Sequence, residues 1–183
     1  MPTSDRHLNK GSYFDPEFGT VAVKIMAGEL FATAEPIAIS TLLGSCVAVC
    51  LYDSDTGVGG MNHFMLPELL QGGKPIPCTG ACSSNCCARY GSCAIRQLLQ
   101  RLELLGANRG RLAAKLFGAG QIMATRTEIG GINAAFAVDY LKQQKIPIIA
   151  SDLGDCCPRK LIFFPVTGQA WVKRMPDLPI MER

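Results

Sequence analysis

Cysteine and histidine together can carry out acyl chemistry that neither manages alone. A thiol with an ordinary pKa near ~8.5 is mostly protonated at neutral pH. A neighbouring imidazole takes that proton as the sulfur attacks and later returns it to a leaving group. The 183-residue chain contains nine cysteines but only two histidines, His7 and His63. His7 falls in a polar amino-terminal stretch, so any cysteine–histidine chemistry has to use His63. Among the cysteines, Cys46 has the best local setting, because it follows Leu43-Gly44-Ser45 just past an expected tight turn. Gly44 permits a sharp bend, and main-chain N–H groups around Gly44 and Ser45 can face a developing oxyanion. Periodicity alone is met equally by Cys46 as a small core residue and His63 as a structural strand residue.

Both residues lie in segments that read as β-structure. Alternation over residues 20–26 sets Val21, Val23 and Ile25 against Ala22 and Lys24, a half-buried strand. Further strands are expected at 30–33, 37–41, 47–52 and 59–66. The polar run Asp53-Ser54-Asp55-Thr56-Gly57 is a hairpin turn between the last two. That hairpin brings the Cys46 and His63 strands side by side. A helix is expected from Ala94, with Ile95, Leu98, Leu99, Leu102 and Leu105 at helical spacing and Gly106 as its stop. A second helix carries Ile132, Phe136, Ala137, Tyr140 and Leu141 on one face. Strands at 112–117, 146–151, 161–164 and 170–172 complete the count. The fold class is α+β: a single-domain sandwich of mostly antiparallel sheet with two helices on one side. Residues 1–18 read as a mobile arm, 19–176 as the domain, and 177–183 as a tail.

Composition bounds the function. Hydrophobic residues make up 48% and charged residues 18%, and the formal charge is +3. The length suits one domain. The basic residues are scattered, which argues against nucleic acid, and pairs such as Arg159-Lys160 and Lys173-Arg174 read as solvated strand ends. No export signal is visible, and the charge-free run between Glu35 and Asp53 is shorter than the ~20 residues of a membrane helix. A soluble, cytoplasmic protein without membrane insertion is expected, with free thiols rather than a disulfide framework.

Two motifs resemble a known family. The stretch Leu43-Gly44-Ser45-Cys46-Val47-Ala48-Val49-Cys50-Leu51-Tyr52-Asp53 looks like the segment around the nucleophile of the chemoreceptor glutamine deamidases (CheD). Gly57-Val58-Gly59-Gly60-Met61-Asn62-His63-Phe64-Met65-Leu66-Pro67 resembles the family's histidine motif. Supportive likeness extends through Phe117-Gly118-Ala119-Gly120, Ile129-Gly130 with Asn133, Ser151-Asp152-Leu153-Gly154 and Arg159-Lys160-Leu161 to Thr167-Gly168. The resemblance implies Cys46 as nucleophile and His63 as base. It also implies a hydroxyl shortly before the cysteine that orients the imidazole. Ungapped alignment puts that hydroxyl at Ser40, where the family has threonine; Thr41 is the alternative, since strand neighbours face opposite ways. The implied reaction is hydrolysis of glutamine side-chain amides on chemoreceptor cytoplasmic domains, and of glutamyl methyl esters there, with no metal or organic cofactor. A CheC-type phosphatase is the implied partner. A regulatory module that only docks on such a phosphatase is the competing expectation.

The loop at 69–91 is rich in Gly, Pro, Ser and Cys. Cys78, Cys82, Cys86, Cys87 and Cys93, with Cys156-Cys157, exceed the family pattern. Zinc binding, a thiol-based redox role and plain unpaired thiols are the alternatives. The spacing is not that of paired C-x-x-C knuckles. Gly118-Ala119-Gly120 lacks the context of a phosphate-binding loop.

Overall fold

The computed structural model describes residues 11–68, 70–71, 74–75, 88–121 and 128–175. In chain order the strands are β1 (Ser12–Asp15), β2 (Thr20–Lys24), β3 (Leu30–Thr33), β4 (Ala38–Leu43), β5 (Val47–Asp53), β6 (Val58–Phe64), β7 (Leu70–Gln71) and β8 (Lys74–Pro75). Helix α1 (Gly91–Leu104), β9 (Ala113–Gly118), α2 (Ile129–Gln143), β10 (Ile148–Leu153), β11 (Arg159–Phe164) and β12 (Gln169–Arg174) follow. Two five-stranded sheets form, in the orders β1-β2-β4-β11-β12 and β10-β9-β5-β6-β3, and β7 and β8 make a separate short hairpin. Pairing is antiparallel except for β2 with β4 and β9 with β10. This is the expected α+β sandwich with both helices on one side.

The core is built in layers. Val47, Val49 and Leu51 of β5 join Ile95, Leu98, Leu99 and Leu102 of α1 and Ala137 and Leu141 of α2 in one cluster. The alternate residues Ala48 and Cys50 join Ile39, Leu43, Leu161 and Phe163 of the other sheet in a second. Strand β5 therefore lies between helices and sheet, which explains its nearly unbroken apolar sequence. Each fully buried leucine stabilises the fold by about 1.5–3 kcal/mol. Gly60 lets α1 approach β6 closely, because a Cβ there would lie 2.8 Å from the Leu98 side chain and 2.6 Å from the Phe31 carbonyl oxygen.

The helix stops follow from local chemistry. Gly106 takes a positive φ after α1, its N–H bonds the Glu103 carbonyl, and the N–H of Ala107 bonds that of Leu102. This is the Schellman arrangement that the glycine predicts. Helix α2 ends the same way with Lys145 in the left-handed region. At the hairpin after β5, Asp53 is fully buried and accepts from the Arg111 guanidinium and from the N–H groups of Asn108 and Asp55. Those bonds, the Arg111 side chain first, hold its carboxyl well below the usual carboxylate range.

Several expectations need correction. Residues 12–15 are not part of a free arm: they form β1, paired with β2, and Phe18 packs on Phe164 and Trp171 at 5.6 and 5.9 Å. These rings, with Tyr13, cover the outer face of their sheet, so Ala22 is buried. Val21, expected on the buried face, is exposed while Val23 and Ile25 are buried. Ile132 is exposed, because the buried line of α2 runs Gly130, Asn133, Ala137 and Leu141. Helix α1 starts earlier than expected and takes in Cys93, which is disulfide-bonded rather than free. Cys78, Cys82, Cys86, Cys87, His7 and the tail lie outside the described residues. Among the described residues, no helix is long and apolar enough to cross a membrane, and no group of three or more His, Cys, Asp or Glu could hold a metal ion.

Candidate active site

His63 lies on β6 opposite Ala48 of β5, so its ring enters the space between the two sheets. It is 4% exposed. Its backbone N–H donates to the Glu29 carbonyl at 3.0 Å, and its carbonyl accepts from the Gly28 N–H at 2.7 Å. Thr41 Oγ1 lies 2.8 Å from Nδ1 of the ring and donates to the Ile25 carbonyl at 2.9 Å. A hydroxyl has one proton. Since Thr41 gives it to Ile25, the ring must donate, which puts the imidazole proton on Nδ1 and leaves a lone pair on Nε2. Among the described residues Nε2 has no hydrogen-bond partner. Burial lowers the His63 pKa to about 4, so the ring is neutral at physiological pH.

Cys46 immediately precedes β5 and is half-buried against the cluster that contains Ala48. Strand alternation gives it the face of Ala48, which is also the face of His63. Burial pushes its thiol above the ordinary value. The resting pair is therefore a neutral thiol and a neutral imidazole. Cys50 is wholly enclosed in the core, with its thiol pushed higher still by burial. Cys156 and Cys157 are free thiols at the surface or partly exposed.

The turn before Cys46 is gripped through its carbonyls. The Gly44 oxygen accepts from the Gly120 N–H at 2.8 Å and the Cys46 oxygen from the Ala119 N–H at 2.7 Å. The Ser45 oxygen accepts from Asn133 Nδ2 at 3.1 Å. No turn or loop hydrogen bond among the described residues uses the N–H of Gly44, Ser45 or Cys46. A turn with fixed carbonyls and uncommitted amides is suited to receive an oxyanion. Gly118 makes the grip possible: its φ is +110° and a Cβ there would collide with the Cys46 carbonyl oxygen. The glycine turn at 118–120 is thus a brace for the cysteine.

Ser40 does not face the imidazole. Its hydroxyl lies on the outer face of the sheet, where Tyr13 Oη donates to it at 3.0 Å. Alternation along β4 turns Thr41 inward with Ile39 and Leu43, so Thr41 supplies the contact. Arg159 is not a solvated strand end either. It is fully buried, donates to the backbone oxygen and carboxylate of Asp152 and to the Gly154 carbonyl, and lies opposite Leu43 on β4. The Gly154 N–H in turn holds the Gly118 carbonyl at 2.9 Å. An Arg-Lys pair has no signal that separates a buried clamp from a solvated end. Asn133 is named among the motifs above, but its tether to Ser45 is invisible in sequence.

A family model described as CheD chemotactic sensory transduction matches residues 65–174. A Dechloromonas aromatica protein named "Probable chemoreceptor glutamine deamidase CheD 1" is 43% identical over 173 residues, covering 93% of this chain and 82% of that protein. A similarly named Shewanella oneidensis protein is 44% identical over 188 residues, covering 100% of this chain and 88% of its own. One from Methylobacillus flagellatus is 42% identical over 176 residues, with 95% and 84% covered. With identity at this level across nearly its whole length, the chain belongs to the CheD family.

Proposed function

We propose that this chain hydrolyses glutamine side-chain amides of chemoreceptors to glutamate, with Cys46 as nucleophile, His63 as general base and Thr41 as the group that orients His63. The substrate class rests on the names of its relatives. The observation that carries the mechanism is the Thr41–His63 contact, which leaves Nε2 free to take a proton.

Both groups begin neutral, so proton transfer accompanies attack. The Cys46 thiol rotates toward Nε2 and passes its proton there while sulfur bonds to the amide carbon. Catalytic contacts of this kind are often loose before substrate binds. Charge on the amide oxygen is met by the N–H groups of the Gly44–Cys46 turn. The imidazolium then protonates the amide nitrogen, the C–N bond breaks, and ammonia leaves a thioester. Water loses a proton to Nε2 and attacks that thioester. The C–S bond breaks, the proton returns to sulfur, and the product is glutamate. No electrons are transferred, so the cycle uses no redox partner. A CheC-type phosphatase is proposed as a binding partner on the family resemblance alone; co-purification with such a protein decides that point.

The test is mass spectrometry of a chemoreceptor cytoplasmic fragment incubated with wild-type protein and with Cys46→Ala. The reading expects amide-to-acid conversion at glutamine and ammonia release with the wild type only. Undiminished deamidation by Cys46→Ala removes it.

A further inference from the structure

The geometry points to Asn133 as a positioning residue that sets the spacing between Cys46 and His63, an inference that rests on the reading above. The β5–β6 ladder ends at the pair Val47–Phe64. Ser45, Cys46 and Met65 lie beyond that last rung, where ladder hydrogen bonds no longer hold the two chains together. Asn133 takes over there. Its Nδ2 donates to the Ser45 carbonyl at 3.1 Å and to the Met65 carbonyl at 2.9 Å. Both acceptors are carbonyl oxygens, so the amide must present its NH2 group to them. One side chain thereby ties the residue before the nucleophile to the residue two after the base.

Three features make this tether stiff. Asn133 is fully buried, so its side-chain NH2 group is shielded from water. It lies in the body of α2, which packs on the core through Ala137, one turn further along. Gly130, one turn earlier on the same buried line, packs directly on the Ala119 carbonyl, and a Cβ there would collide with it. The same helix face therefore touches both supports of the cysteine turn: the Ser45 carbonyl through Asn133, and the Ala119–Gly120 brace through Gly130. Asn133 acts from the helix side of the sheet while Cys46 and His63 face the other sheet, so it positions without touching substrate.

The experiment uses the full-length protein with a purified chemoreceptor cytoplasmic fragment, reading kcat and KM from ammonia release. Asn133→Asp keeps the shape and removes the paired donors, Asn133→Ala removes the tether, and Leu141→Ala weakens the same helix packing without touching the tether. Both Asn133 variants are expected to lose about 100-fold in kcat, as small displacements of reacting groups do, with KM within about twofold. Leu141→Ala should lower the melting temperature and keep its kcat below that temperature. Wild-type kcat in a folded Asn133→Ala or Asn133→Asp protein overturns the inference, as does an equal kcat loss in Leu141→Ala. If Cys46→Ala still deamidates, the underlying reading has failed instead.

Discussion

The hydroxyl of Thr41 stands 2.8 Å from Nδ1 of His63 and spends its only proton on the Ile25 carbonyl. The ring is thereby held in the tautomer that presents a bare Nε2. Replacing the hydroxyl with a methyl group frees the ring to adopt the other tautomer. Thr41→Val is expected to lower kcat roughly 100-fold, a part of the ~10²–10⁴ that a positioned base supplies. Thr41→Ser should retain most activity. Ser40→Ala, which loses only the Tyr13 bond, should stay near wild type. Equal losses in Ser40→Ala and Thr41→Val, measured by ammonia release, would leave the orienting role of Thr41 without support.

Gly118 offers a separate test through the backbone. Its φ of +110° strains any other residue, and its Cα faces the Cys46 carbonyl with no room for a Cβ. Gly154 has a similar φ, +84°, with nothing within 4 Å of a would-be Cβ. Conformational strain alone costs about 1–3 kcal/mol, so Gly154→Ala should show that loss in a urea melt. Gly118→Ala should show more and also lose activity, because the cysteine turn must shift. Matching stabilities for the two variants would mean that the close approach at Gly118 is relieved at no cost.

The comparison between Ser40 and Thr41 also shows where sequence reading stops. Alternation says that only one of two neighbouring hydroxyls can serve, but not which. Exposure does not separate them, since they are 3% and 2% exposed: both faces of this sheet are covered, one by the other sheet and one by Tyr13 and Phe18. The strands and helices with long apolar patterns, such as β5 and α1, were legible because their periods are set by burial. Strand β1 was not, because four residues carry no readable period. The Asn133 tether spans 88 residues to Ser45, and the Arg159 clamp depends on a loop folding back on its strand. Such contacts are made by tertiary structure and leave no local pattern.

The burial of His63 has a consequence for stability. Its folded pKa of about 4 lies below the ordinary 6.5. As pH falls through 6.5 the unfolded chain takes up the proton first, so unfolding becomes easier. The contribution is complete above about 6.5 and is lost as pH drops through about 4. Over that window it amounts to roughly 3 kcal/mol, at ~1.4 kcal/mol per pH unit. Urea melts of wild type and His63→Gln between pH 7 and 4.5 should therefore converge, with the wild-type curve steeper by about that slope. Parallel curves would show that His63 is charged, or free to charge, in the folded protein.

Cys46 itself reports the resting protonation state. Burial pushes its thiol above the ordinary value, and a neutral His63 offers no positive charge to stabilise a thiolate. A preformed thiolate–imidazolium pair would react with iodoacetamide at a rate that levels off near neutral pH. The neutral pair should instead react slowly at pH 7, with a rate still climbing well into the alkaline range. Following the Cys46 peptide by mass spectrometry separates it from Cys156 and Cys157, which react in parallel as free surface thiols. His63→Ala should change this profile little, because at rest the imidazole holds no proton to share with the sulfur. A plateau below pH 8 that vanishes in His63→Ala would require the ion pair, and would move proton transfer ahead of substrate binding rather than into the attack.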